Sequence, residues 1–339
     1  MQARGRWLLL WWVAAAAAAA GLAAVAAAPD PVVGAAPAPA RPRFKGRASE
    51  GRYGRTHSSI VKGKYATADR FPYQVYLRVF LRNGTVDFCG GAIIGVRHIL
   101  TAAHCVDKSN VVKKMAVIGS MNRFGRKALN FTVIHQTLYS KKSWEKVDAD
   151  IAVLMVDRSM PLGKDNVKLV KLQNNRTFNR GSLCSVAGWG DSRDNSNPDI
   201  LKFVKIPLVS RKRCEKSYPY DPPGDLLCAG YYERGGPDTC QGDSGGPLVC
   251  GGQLTGIVKG GVGCGLPHYP GTYTDVSYYS SWVERVMVHD WEAYFKHEAP
   301  SPFRRKWTPQ PRRARKRSRQ YLWQEALTLE DKGIRARRK

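Results

Sequence analysis

The chain has 339 residues, room for one large domain or two modest ones. It carries 54 Lys and Arg against 27 Asp and Glu, a formal net charge of +27. The excess is uneven: residues 300–339 hold +11 and residues 1–59 hold +6, leaving +10 for the middle. That excludes a uniformly basic body and describes a mildly basic folded unit between basic ends.

The first element in chain order reads as a secretory signal over residues 1–28. Arg4 and Arg6 begin it, an apolar run occupies 7–22, and Ala24-Val25-Ala26 is a small-x-small cleavage site. An uncleaved membrane anchor is the alternative, because the apolar stretch continues to Ala28 and about 20 apolar residues span a bilayer. Residues 29–59 are Pro/Ala-rich, then Arg/Gly-rich, with almost nothing to pack, and are expected to be a flexible pro-segment.

From Ile60 the texture changes. "YQVYLRVF" (73–80), "GAIIGV" (91–96), "FTVIH" (131–135), "IAVLMV" (151–156), "LCSVAGWG" (183–190) and "QLTGIV" (253–258) are short β-type runs separated by Gly, Asn, Asp and Pro. Such spacing predicts an all-β sandwich or barrel. One helical stretch, residues 277–297, closes the unit with Trp282, Val283, Val286 and Met287 on one face. A folded domain over 60–297 is therefore expected, followed at 298–339 by a Pro-punctuated basic tail expected to be disordered. There are no internal repeats.

Eight cysteines lie between Cys89 and Cys264, and none lies in the tails. An even number in an exported chain favours disulfides. A metal site is the alternative, but no C-x-x-C pair supports one. Three glycosylation acceptors, at Asn83, Asn130 and Asn175, agree with an exported surface.

Three separated motifs belong together. "TAAHC" places His104 beside Cys105, "DADIAVLMV" places Asp150 ahead of an apolar strand, and "GDSGGP" places Ser244 in a Gly-rich turn. In this order and with these flanks, the chain resembles the trypsin/chymotrypsin family of serine proteases from Ile60 to about His297. The resemblance implies two packed six-stranded antiparallel Greek-key barrels with a C-terminal helix. It also implies Ser244 as nucleophile, His104 as base and then acid, and Asp150 as the carboxylate that orients the imidazole. Asp148 competes for that last role; Asp150 is preferred because the matching "DIAVL" begins there. The backbone amides of Gly242 and Ser244 would form an oxyanion hole. The implied disulfides are Cys89–Cys105, Cys184–Cys250, Cys214–Cys228 and Cys240–Cys264.

In such proteases the acid six residues before the serine lies at the base of the primary substrate pocket. Asp238 stands there, with Gly261 and Gly271 matching the glycines that keep the pocket open, so the resemblance implies cleavage after Arg or Lys. A solvated loop acid is the plainer alternative. Asp243 would pair with the ammonium of an Ile60 freed by an activating protease. "IVKG" matches the family's mature start, with Lys62 in place of the usual glycine.

The departures are specific. Ser59, not Arg or Lys, precedes Ile60, and the nearest basic stop is Arg55. Lys259 replaces the serine that usually touches the orienting aspartate, and Gly260 replaces a tryptophan that walls the cleft. Lys259 is therefore a candidate modulator, and Gly260 widens the cleft. The stretch "GSMNRFGRKALN" (119–130), where the family's calcium loop would lie, carries no carboxylate, so no cofactor or metal is expected.

The expected protein is a secreted monomeric endopeptidase zymogen acting on polypeptides. A catalytically silent homologue serving as a binding protein is the competing class. The tail is either a polyanion-binding extension, toward glycosaminoglycan for example, or a removable solvated one.

Overall fold

The structure, a computed structural model, describes residues 60–67, 69–139, 149–164, 166–175, 181–190, 197–219 and 224–293. The expected signal, pro-segment and basic tail lie outside the described residues, as do Arg55, Ser59 and Asp148. Among the described residues no helix is long and apolar enough to cross a membrane.

Alternation of apolar and polar side chains builds the first barrel. In β2 (Gln74–Leu81), Val75, Leu77 and Val79 are fully buried and face inward, while Tyr76 and Arg78 between them face the other way. β2 pairs with β3 (Val86–Ile93) and, on its other side, with β5 (Val111–Ile118). β4 (His98–Thr101), β7 (Ala152–Val156) and β6 (Leu129–Leu138) complete a closed ring in the order β2-β3-β4-β7-β6-β5. β7 is buried at every position, as a strand covered on both faces must be.

The second half repeats this topology. β9 (Leu183–Gly188) pairs with β10 (Lys202–Pro207) and with β12 (Pro247–Cys250). β12 pairs with β13 (Gln253–Gly260), β13 with β14 (Gly271–Asp275), and β14 with β11 (Leu226–Ala229). The return from β11 to β10 is a single bridge, Leu208 to Ala229, supported by Val209 N–H to the Cys228 carbonyl (2.9 Å) and Gly230 N–H to the Pro207 carbonyl (2.9 Å). The expected all-β fold of two barrels and a C-terminal helix is thus present, with one difference. Two short strands, β1 (Lys64–Tyr65) on β10 and β8 (Lys171–Leu172) on β13, extend the second sheet to eight strands.

The barrels meet through Phe71, Tyr76, Val117, Ala187, Trp189 and Leu201. Backbone approaches backbone at Gly90, whose N–H donates to the Ser244 carbonyl at 2.6 Å; a Cβ on Gly90 would lie 2.6 Å from the Gly246 Cα. The last helix, α3 (Val276–Ala293), follows two short ones, α1 (Ala103–Val106) and α2 (Arg211–Ser217). Its expected apolar face is observed: Val283, Val286 and Met287 are buried and Trp282 packs against the same core, joined by Val276 and Tyr279.

Two polar contacts fasten this helix. The Tyr279 hydroxyl donates to the buried Asp225 carboxylate at 2.5 Å, and His98 of β4 lies 3.4 Å from Asp290. Burial first, then Asp225, pushes the Tyr279 phenol upward, so it stays a donor. Tyr279→Phe keeps the ring but strips Asp225 of this donor. It is expected to lower the unfolding free energy by about 1.5–3 kcal/mol, read as a lower urea midpoint at unchanged slope.

Candidate active site

Thr101 ends β4, and the single turn of α1 then carries His104 outward while burying Cys105. Cys105 is joined to Cys89 of β3, which holds that turn against the barrel. Asp150 sits just ahead of β7, the neighbour of β4, so strand pairing delivers it to His104. Its Oδ1 accepts the His104 backbone N–H at 2.9 Å, and its Oδ2 lies 2.7 Å from His104 Nδ1. The Asp150 carbonyl accepts the Thr274 hydroxyl of β14 at 2.9 Å, so both barrels place this aspartate. A neutral imidazole donating Nδ1–H to Asp150 carries its lone pair on Nε2, which lies 3.8 Å from Cys105 Sγ.

Ser244 arrives from the other barrel. Gly245, at φ +77°, has no room for a side chain: a Cβ there would collide with the Thr101 hydroxyl and lie 3.2 Å from Cys105 Sγ. With the Gly90 bond to its carbonyl, Ser244 is thereby pinned against the disulfide that flanks His104. Among the described residues no hydrogen bond joins the Ser244 hydroxyl to His104.

Asp243 faces the opposite way and is buried. Its Oδ1 accepts the Gly190 N–H at 2.8 Å and its Oδ2 the Cys240 N–H at 2.9 Å. Any side chain at Gly188 or Gly190 would strike this carboxylate. Those two glycines, absent from the expected site residues, form its cradle; the small-Trp-small pattern of "AGWG" was the available signal. Gly242, at φ +93°, turns the chain back toward Ser244.

Asp238 is also buried. Its Oδ1 accepts the Thr239 N–H and its Oδ2 the Gly265 N–H, each at 2.8 Å. Burial pushes its carboxyl up to about 6 despite these donors. A Cβ on Gly271 would lie 2.8 Å from Asp238 Oδ1, so only glycine leaves that oxygen its space. A Cβ on Gly261 would lie 3.7 Å from the Gly271 Cα, so the two glycine backbones run side by side as one wall next to Asp238. Tyr218, a residue sequence reasoning missed, fixes this wall by donating to the Pro270 carbonyl (2.7 Å) and accepting from Val262 N–H (3.3 Å). Tyr273 and Thr239 sit beside Asp238, their hydroxyls 3.5 Å apart. Nothing local marks these three tyrosine and threonine positions in the sequence.

The remaining expected residues are placed as follows. Ile60 is fully buried in the second barrel's core, and Val61 N–H donates to the Asp238 carbonyl at 3.2 Å. Lys259 is half-buried where the β13–β14 register slips between Val258 and Gly260. Gly260 is exposed, and a side chain there would meet nothing within 4 Å. The disulfides are Cys89–Cys105, Cys184–Cys250, Cys214–Cys228 and Cys240–Cys264, with no free cysteine. Asn83, Asn130 and Asn175 are all exposed. Cys89, His104 and Cys105 converge within metal-binding distance, but their sulfurs form a disulfide and offer no thiolate.

The protein-family model described as Trypsin matches residues 60–283. The chain is 34% identical to Trypsin I-P1 of Gallus gallus over 232 residues, covering 67% of this chain and 89% of that one. It is 37% identical to Trypsin eta of Drosophila melanogaster over 222 residues, covering 64% and 83%. Among solved structures it resembles neuropsin, a serine protease expressed in the limbic system of mouse brain. That likeness has a TM-score of 0.58 and 32% identity, covering 67% of this chain and all of that one. The two barrels and these likenesses converge: the chain belongs to the trypsin family of serine proteases and is a serine endopeptidase.

Proposed function

We propose that the chain is an exported trypsin-like endopeptidase, made as a zymogen, that cleaves polypeptides after Arg or Lys. The observation carrying the specificity is Asp238, a buried carboxylate beside Gly271 with no cation paired to it among the described residues. A guanidinium or ammonium entering there recovers the solvation that burial removed.

Ser244 Oγ attacks the scissile carbonyl carbon as its proton passes to His104 Nε2, and Asp150 holds the imidazolium through Nδ1. The carbonyl oxygen becomes an oxyanion facing the Gly242 and Ser244 amides; loss of one such donor costs about 3 kcal/mol. Collapse breaks the C–N bond, and His104 gives its proton to the departing amine. A water, deprotonated by the same ring, then hydrolyses the acyl-enzyme and restores Ser244.

Activation frees the Ile60 amine, which pairs with Asp243 in the buried cradle. Four disulfides fit an extracellular chain, and the exposed Asn83, Asn130 and Asn175 suit glycosylation in transit. The basic 298–339 segment serves as a polyanion-binding tail beyond the 60–297 catalytic domain.

The deciding experiment is peptide hydrolysis by activated protein on Arg-, Lys-, Phe- and Ala-ending substrates. Turnover is expected only after Arg and Lys and is expected to vanish in Ser244→Ala. Silence from correctly folded protein would instead mark a binding homologue. In the same assay Lys259→Ser is expected to raise kcat/KM by roughly tenfold, about 1.4 kcal/mol of barrier, by removing a cation from the bulge that flanks the cleft.

Asp238 also sets a pH dependence. Only its carboxylate form holds a cationic side chain, so affinity for a small amidinium inhibitor should fall about tenfold per pH unit below about 6. Folding has the opposite sign. The folded state binds this proton more tightly than the unfolded chain, so the group contributes stability as pH falls from about 6 toward 3.8. An inhibition constant that stays flat between pH 7 and pH 5 would contradict the assignment.

A further inference from the structure

Beside the segment that follows Ile60 lies a cavity of about 390 Å³. Lys62, Arg234, Gly235, Gly236 and Gly265 line it, and none of its lining residues is acidic. Lys62 holds a backbone φ of +53°, the left-handed region that favours glycine and costs a lysine of order 1 kcal/mol or more. The side chain so placed reaches toward Gly236; a Cβ built there would lie 3.9 Å from Lys62 Nζ. Among the described residues that ammonium has no ion pair or hydrogen bond.

Arg234 is in the same position electrically. Its guanidinium lies 4.4 Å from the Tyr231 ring, and among the described residues no carboxylate pairs with it. The adjacent Glu233 turns away, to Arg213 at 2.7 Å and to His268 at 3.8 Å. The glycine N–H groups are spent elsewhere: Gly235 donates to Tyr231, Gly236 to Gly265, and Gly265 to Asp238. What the cavity offers a ligand is therefore two cations and no competing acid.

We propose that this cavity is an anion site that takes a tetrahedral oxyanion, the sulfate or phosphate group of an ester, between the Lys62 ammonium and the Arg234 guanidinium. The Arg fork meets two oxygens and the Lys point charge a third. Such an anion ties the segment leading from Ile60 to the loop that bears Asp238. Val61 N–H already bonds the Asp238 carbonyl, and Gly265 N–H its carboxylate. Occupancy thus bears directly on the frame of the primary pocket. The site stands whether or not the chain cleaves after Arg or Lys.

The test is the thermal midpoint of the full-length chain titrated with inorganic sulfate and with inorganic phosphate, each against chloride at equal ionic strength. The wild-type protein should show a saturable rise with at least one anion, and the stronger of the two names the ester class. Arg234→Gln should need about tenfold more anion for half the effect. Lys62→Gly should lose the saturable rise and yet melt higher without anion, because glycine relaxes the left-handed backbone. The basic tail is present in every variant, so attraction to it cancels. A rise that never saturates is general salt exclusion and overturns the site. So does unchanged half-saturation in both variants.

Discussion

The Asp243 carboxylate, buried where the two barrels approach, is the constraint on which the rest of the site depends. A buried charge is tolerated only when hydrogen-bonded. Here the donors are the Gly190 and Cys240 amides, which brings the end of β9 and the loop after Asp238 to one point. Gly188 and Gly190 face the carboxylate, and Trp189 between them points away into the inter-barrel cluster, its indole N–H on the Met121 carbonyl at 3.1 Å. One strand end thus presents empty space to the charge and bulk to the opposite barrel. Because Asp243 stands between Gly242 and Ser244, fixing its side chain fixes the direction of both neighbouring amides.

Two buried aspartates five residues apart meet different ends. Asp243 sits in a closed cradle of glycine. Asp238 has two N–H donors of its own, yet burial still pushes it up to about 6. Gly271 backs onto Asp238 and Gly261 onto Gly271, while the Tyr218 hydroxyl ties that backbone together through Pro270 and Val262. A buried carboxylate whose proton is held more tightly in the folded than in the unfolded chain costs the fold stability at neutral pH.

Much of this was legible before the structure. The run 73–80 became β2 almost residue for residue, and 151–156 became β7, because continuous burial or strict alternation is written locally. The motifs around His104, Asp150 and Ser244 were equally plain. Tyr218 was not. It precedes a loop more than forty residues from Val262, and only tertiary closure brings its hydroxyl there. β1 and β8, two residues each, have no periodicity to read and exist only because a neighbouring edge accepts them. The Gly188–Gly190 cradle lay inside a run correctly read as strand, where the absence of side chains looked like a strand ending rather than room for a distant carboxylate.

The charge excess that opened the sequence finds its physical resolution in aromatic rings. The middle of the chain still carries +10, so carboxylates cannot pair every cation there, and the folded unit turns guanidinium groups onto rings as well. Arg70 lies 3.9 Å from the Phe203 centroid and Arg158 4.3 Å from that of Phe131. Arg123 serves Tyr76 and Phe124, both at 5.1 Å, while also holding Asp199. Each contact contributes only about 0.5–1 kcal/mol at an exposed site. A ring face needs no acid, so these contacts hold cations without changing the net charge. Lys62 stands outside this solution, on neither ring nor carboxylate and on a backbone glycine would hold more cheaply. A cation kept at that cost, beside a second one in a cavity without acids, is what an anionic ligand would explain and what packing does not.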